Sequence, residues 1–365
     1  MASRHLPSNP KWTLAAPLIA AGFLTLKYSV PIAADAIPVL AAAALLLGGS
    51  VFAAVHHAEI MALKLGEPFG SVLLAVAVTI IEVALIVSVM LSDAPGGTDL
   101  MRDTIFATVM IVLNGIIGLC LVLGGQRHFE QSFQLQGATS AFAVLGTLAG
   151  VTLILPNHTL AAAGPYFSPF QIVVVDFVSF SLWCIFIFVQ TVKHRDYFLD
   201  VADSSAGGSH ERPSRLVALV SLVLLPVSLG AVVLLAKLLS APLDRAVAAI
   251  GLPQAFVGVV IATLVLLPEG IAAIKSALRN RIQNSINLSV GSAIASIGLT
   301  IPIVTIIALL AGKKATLGIS PANVTLLSLT LFVSTLTLCT GRTTVLQGAV
   351  HLVIFAVFLM ISAVP

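Results

Sequence analysis

The feature that most constrains this chain is a series of eleven apolar stretches, each about as long as a membrane-crossing helix, separated by short breaks rich in charge, proline or glycine. They fall near 12–29, 36–62, 69–91, 104–124, 138–155, 169–192, 215–239, 250–278, 285–311, 321–340 and 343–363. Crossing ~30 Å of hydrocarbon takes about 20 apolar residues in a helix. Backbone in lipid has to satisfy its own hydrogen bonds, which leaves helices for segments of this length. The expected fold class is all-α, a polytopic membrane protein of about eleven transmembrane helices whose solvent is the lipid bilayer. Only 9% of the 365 residues are charged, against roughly 25% in a soluble domain, and a separate catalytic domain of ~100 residues has nowhere to fit. A net charge of +3 is too small to point to nucleic acid.

Arg4 and Lys11 ahead of the first stretch resemble the start of a signal peptide. The small-residue pattern after that stretch, Ala34-Asp35-Ala36, is interrupted by an acid, so a retained helix is expected. Basic residues report orientation. With the N-terminus in the cytoplasm, that side holds Arg4, Lys11, Lys64, Arg127, Lys193, Arg195, Arg212, Arg215, Lys275, Arg279, Arg281 and Arg342. The other side holds Lys27, Arg102, Lys237, Arg245, Lys313 and Lys314, half as many. The N-terminus is therefore expected inside and the C-terminus outside.

The longest hydrophilic stretch, 193–214, reads as a cytoplasmic linker. Residues 1–30 then form an extra N-terminal helix, leaving five helices in 31–192 and five in 215–365. An odd number per half turns the second half upside down relative to the first, the arithmetic of an inverted-topology repeat and a common architecture of secondary transporters. Phe69 and Glu82 in the third stretch recur at the same offset as Phe256 and Glu269 in the eighth.

Those two glutamates are costly to place. A carboxylate at mid-bilayer costs on the order of 3 kcal/mol and has to face protein or a watered cavity. The structural alternatives are a buried ion pair or a permanently protonated carboxyl; against the first, every Lys and Arg falls at or near a helix end. Functional carboxylates at a central site are the preferred reading. Pro268 directly precedes Glu269, and a proline has no amide hydrogen to give the carbonyl four residues back. Helix eight is expected to be distorted there, freeing the Leu264 oxygen to ligate a cation. Thr79 is the polar neighbour of Glu82.

The next helix after each glutamate supplies the rest of the candidate site. Helix nine carries Ser285, Ser289, Ser292, Ser296 and Thr300, a spacing that places five hydroxyls on one stripe. Helix four offers Ala107, Asn114 and Gly118 on one face; close helix packing is the competing explanation for its small residues. Elsewhere, His56, His57 and Glu59 suggest a proton relay or gate, although HHAE is not the HExxH zinc motif. Asp176 and His351 are intramembrane ionisable residues kept as relay or packing positions. Cys120, Cys184 and Cys339 lie far apart in apolar runs and are expected to be core thiols, without a disulfide or zinc site. No nucleotide-binding loop occurs, no cofactor is expected, and the oligomeric state is not readable.

Taken together, these residues resemble a known family. His57–Glu82 (HAEIMALKLGEPFGSVLLAVAVTIIE) with Asn114–Gly124 (NGIIGLCLVLG) is similar to the first α-repeat of the calcium/cation antiporter superfamily. Pro268–Asn280 with Gly291–Pro302 (GSAIASIGLTIP) is similar to the second. Phe188–Phe198 (FVQTVKHRDYF) and Gly341–Phe355 (GRTTVLQGAVHLVIF) resemble its cation/proton exchanger branch, in particular the ChaA-type bacterial calcium/sodium/potassium–proton antiporters. The resemblance implies that Glu82 and Glu269 bind the cation and exchange it for protons, with Asn114 and Ser292 as supporting ligands. The sequence departs from the wider pattern: Thr79-Ile80-Ile81 stands before Glu82, Leu266-Leu267-Pro268 before Glu269, and Gly270 where a His is often found. Fewer side-chain oxygens remain, which leaves room for monovalent ions. The acidic regulatory helix of some eukaryotic relatives has no counterpart in 193–214.

The expected function is secondary active cation/proton antiport and not an enzyme activity, with Ca²⁺ leaving as protons enter by alternating access in a bacterial inner membrane. A Na⁺(K⁺)/H⁺ antiporter with little calcium use is the alternative within transport; a cation channel is a further one. The expected partners are inorganic cations and protons. Two carboxylates match one Ca²⁺, with carbonyls, Asn114, serine hydroxyls and water filling its six to eight oxygens.

Overall fold

A computed structural model describes residues 9–29, 36–66, 69–91, 99–199 and 213–365. Most of the linker and the start of the chain lie outside these. Eleven helical segments succeed one another: α1 (Lys11–Ser29), α2 (Ile37–Leu65), α3 (Phe69–Met90), α4 (Leu100–His128), α5 (Leu135–His158), α6 (Pro169–Lys193), α7 (Arg215–Ala249), α8 (Ala255–Leu278), α9 (Ile282–Leu310), α10 (Pro321–Leu338) and α11 (Val345–Ala363). The all-α expectation holds. Ten of them, α2 to α11, are long and apolar enough to cross a membrane; α1 is a continuous 19-residue helix outside that set.

The helix ends obey local chemistry. Ser168 caps α6 reciprocally with Gln171, and Thr344 forms the same box with Gln347 at α11, so that side chains satisfy amides with no helical acceptor. Pro169 and Pro321 occupy the first turn, where a missing N–H costs nothing. The largest departure from expectation is α7, which continues past residue 239 through Pro242 to Ala249. The apolar run ends near Lys237, but the helix formers of Asp244–Ala249 carry it on until Gly251, whose φ of +76° ends it.

Four helices contain a wider, π-helical turn: Ile111–Ile116 in α4, Gly150–Ile154 in α5, Val189–Lys193 in α6 and Ser296–Thr300 in α9. Such turns leave backbone groups out of register and recur at functional sites.

The chain divides into two compact units, and each takes helices from both sides of the linker. The first comprises Met1–Ala94 and Ser209–Ala249. Within it α2 packs against α1, α3 and α7. A polar link ties three of these helices: His57 on α2 lies 3.1 Å from the Thr13 carbonyl on α1 and 3.1 Å from Ser221 Oγ on α7. Ser221 in turn donates to Asn9 Oδ1 at 3.1 Å.

The second unit comprises Pro95–Gly208 and Ile250–Pro365. Its core is α8, packed along α4 and the first half of α9, with α11 closing on α4. Two short strands, β1 (Gln131–Ser132) and β2 (Arg342–Thr343), pair antiparallel and join the α4–α5 and α10–α11 connections at one end. At that end His128 bonds the Leu278 carbonyl, Gln131 donates to the Ala277 carbonyl, and Asn287 donates to the Phe198 carbonyl. At the other end Asn157 donates to the Ile319 carbonyl and the Gly318 amide to the Pro165 carbonyl.

Of the cysteines, Cys120 is buried, but Cys184 and Cys339 are exposed, correcting the expectation of three core thiols. In a membrane helix the outer face is as apolar as the core, so apolar neighbours do not tell the two apart.

Candidate cation site

In the first unit Glu82 is 2% exposed and Thr79, one turn earlier on α3, is 3% exposed. The start of α3 sits tightly on the end of α2. A Cβ on Gly70 would lie 2.6 Å from the Ala62 carbonyl oxygen, so the last residue of the EPFG stretch has to be glycine.

In the second unit Glu269 is 7% exposed. Its helix stays α-helical from Ala255 to Leu278 through Pro268, so the expected distortion does not break it. What the proline changes is local: Leu264 O lacks the amide donor that residue 268 would otherwise supply, and Leu264 itself is half-buried. Gly270 has a packing reason. Its Cβ would stand 3.2 Å from Ile116 Cδ1 in the π turn of α4, so a larger side chain there needs the isoleucine to shift.

The next helix after each glutamate helix, α4 after α3 and α9 after α8, carries one of the π turns. Sequence reasoning missed these turns. The available signal was a mid-helix glycine close to a polar residue, Asn114-Gly115 and Ser296-Ile297-Gly298.

Asn114, inside the α4 turn, has both halves of its amide engaged. Its Nδ2 donates to Thr330 Oγ1 on α10 at 2.9 Å, and its Oδ1 accepts from His351 Nδ1 on α11 at 3.0 Å. With Nδ1 carrying the proton, Nε2 of the neutral ring accepts from Thr337 Oγ1 at 3.1 Å. His351, for which the sequence offered no partner, is thus one member of a buried chain linking α4, α10 and α11. Glycines bring these helices together: a Cβ on Gly118 would lie 3.1 Å from that of His351, and one on Gly348 would lie 2.7 Å from the Val122 amide nitrogen.

The hydroxyl stripe of α9 is only partly available. Ser285, Ser289, Ser296 and Thr300 are buried while Ser292 is half-buried. Ser285 Oγ donates to the Ala273 carbonyl on α8 at 2.6 Å, and the π turn from Ser296 rotates the residues beyond it out of the α-helical stripe. On α2 the proposed relay trio does not share one environment: His57 is buried, His56 half-buried and Glu59 exposed. Asp176 on α6 is buried and lies 2.6 Å from Thr305 Oγ1 on α9. Among the described residues no three His, Cys, Asp or Glu side chains gather to hold a metal.

The model of the family described as sodium/calcium exchanger protein matches residues 36–192 and 220–364. The chain belongs to this family. A Sinorhizobium fredii protein bearing the name ionic transporter y4hA is 56% identical over 98% of this chain and 97% of its own length. The sodium-potassium/proton antiporter ChaA of Escherichia coli is 34% identical over 85% of each chain. Among solved structures, native YfkE superposes with a TM-score of 0.72 at 13% identity, covering 97% of this chain and 100% of that one. The H⁺/Ca²⁺ exchanger CAX gives 0.67 at 16%, covering 95% and 87%. At those identities the likeness is one of fold. The chain is thus a membrane-spanning member of a family of cation antiporters.

Proposed function

We propose that this protein is a proton-coupled cation antiporter in which Glu82 and Glu269 carry the exchanging sites. One observation carries the reading: the two carboxylates are buried to 2% and 7% exposure inside apolar spanning helices, one in each of the two family-matched stretches. A carboxylate buried at that depth needs its charge cancelled. A proton and a metal cation do so at the same oxygens, so each displaces the other. A site that changes sides only when neutralised couples the two flows. Thr79, Ser292, Ser296 and the Leu264 carbonyl are the supporting oxygens. The division into α2–α6 and α7–α11 as inverted repeats is supported by the match falling in two stretches.

For the cargo, Na⁺ and K⁺ are the reading the observations favour. Calcium takes six to eight oxygens, yet the amide of Asn114 is engaged by Thr330 and His351 and the stretches around each glutamate are short of polar side chains. The E. coli relative, 34% identical, bears the name of a sodium-potassium/proton antiporter. Calcium is the second reading: two carboxylates balance a divalent charge, and a 24% identical relative from Aphanothece halophytica is named a Ca²⁺/H⁺ antiporter. In everted bacterial membrane vesicles holding a pH gradient, Na⁺ and K⁺ are expected to collapse it in a protein-dependent way. Collapse by Ca²⁺ alone selects the second reading, and no response to any of the three removes antiport.

A further inference from the structure

The two glutamates leave one buried acid of the second unit without a task. Asp176 on α6 is 6% exposed. Its Oδ2 lies 2.6 Å from Thr305 Oγ1 on α9, while its Oδ1 is buried without a hydrogen-bond partner among the described residues. The Thr305 hydroxyl has one proton and three acceptors within reach: Asp176 Oδ2 at 2.6 Å, the Ile301 carbonyl at 2.8 Å and the Pro302 carbonyl at 3.0 Å. If the carboxyl carries a proton, that proton goes to Thr305 Oγ1 and the threonine proton goes on to the Ile301 carbonyl, and every hydrogen is used. Oδ1 is bare in both forms; if the group is charged it takes the single threonine proton and that bare oxygen carries part of a full negative charge, whereas in the acid it is a neutral carbonyl oxygen.

Among the described residues, the helices packed on α6 bring no other charge to its level. Helix α9 has no Asp, Glu, Lys, Arg or His, α5 has only His158 at its end, and α6 otherwise has only Cys184, which is exposed, and Lys193 at the far end. An uncompensated carboxylate at such a place is neutralised by a proton or a small cation.

The donor set selects between these, and a cavity lies close by. Ile172, one turn before Asp176, and Leu309, one turn after Thr305, line a cavity of about 400 Å³ together with Tyr166, Lys313 and Lys314. Lys314 Nζ lies 5.8 Å from the centre of the Tyr166 ring. Two ammonium groups flank this mouth and raise the potential for any cation, the proton included; one carboxylate and one hydroxyl are far short of the six to eight oxygens that a divalent cation takes, whereas a proton needs a single oxygen. Deeper along the same face of α6, Ser179 Oγ and Trp183 Nε1 are buried without hydrogen-bond partners among the described residues. They lie against the π turn of α9, which Gly298 lets approach so closely that its Cβ would stand 2.6 Å from that of Trp183.

We propose that Asp176 and Thr305 form a proton-binding site separate from the two glutamates, loaded through the lysine-flanked cavity and opening along the Ser179 face toward the Ser296–Thr300 turn. It rests on the antiport reading for its purpose, but its chemistry is independent of it: a hydronium ion gives its proton to a carboxylate oxygen, forming the O–H bond and leaving water, and the reverse step releases it. The test is infrared difference spectroscopy of the purified, lipid-reconstituted protein between acid and alkaline pH. A carboxyl C=O band is expected that is lost in Asp176→Asn, persists in a Glu82→Gln/Glu269→Gln double variant, and moves to higher frequency in Thr305→Val, which has one hydrogen-bond partner fewer. The threonine variant keeps the acid, so it reports even if Asp176→Asn does not fold. A difference spectrum unchanged by both Asp176→Asn and Thr305→Val overturns the site. If vesicle flux is normal while this band is missing, antiport stands and the proton site falls; the band without flux gives the reverse.

Discussion

Asn114 joins Thr330 to His351 in the interior of the second unit, and its removal strands a donor on one side and an acceptor on the other. A buried polar group left unsatisfied costs about 1–3 kcal/mol. Asn114→Ala is therefore expected to lower the thermal unfolding midpoint in detergent. The same change made on a His351→Ala background is expected to cost clearly less, because the shared bond is already gone; full additivity contradicts the network. Glu82 and Glu269 were legible because a carboxylate inside a long apolar run announces itself. The partner of Asn114 was not, since 237 positions separate it from His351 and nothing local specifies which helices meet. Nor did the sequence distinguish a lipid-facing Cys184 from a buried Cys120, both flanked by apolar residues.

At the scale of the helices, apolar length located all eleven segments, and capping residues mark the starts of α6, α10 and α11. The π turns escaped notice because they add one residue to a turn without changing composition. The packing of α4 on α11 was open to a small-residue reading, and the structure gives it substance: a Cβ on Gly348 would lie 2.7 Å from the Val122 amide nitrogen and 2.8 Å from the Gly118 carbonyl oxygen. Backbone atoms cannot yield as a flexible side chain does, and forced overpacking costs roughly 1–3 kcal/mol or more. Gly348→Val is expected to lower the midpoint of thermal unfolding well beyond Gly230→Val, since nothing lies within 4 Å of a Cβ on Gly230. Equal midpoints for the two variants contradict the close approach.

At the scale of the whole chain, the count of basic residues and the contacts of the second unit agree on which of its connections share an end. In the second unit the segments carrying Arg127, Arg279 and Arg342 are tied together by β1–β2 and by the bonds of His128 and Gln131. Those carrying Arg102 and Lys313 belong to the opposite end, where Arg102 donates to the Gly318 carbonyl at 3.4 Å. The linear division at the linker did not foretell that each compact unit draws on both halves, because packing between distant helices is not written in hydropathy. The central claim is that the two buried glutamates are where cation and proton exchange. Cation-triggered proton flux in everted vesicles tests it most directly, with Glu82→Gln and Glu269→Gln each present in the membrane at the level of the unaltered protein. Each variant is expected to fall to the background of vesicles lacking the protein, for Na⁺, K⁺ and Ca²⁺ alike; undiminished flux in either one contradicts the claim.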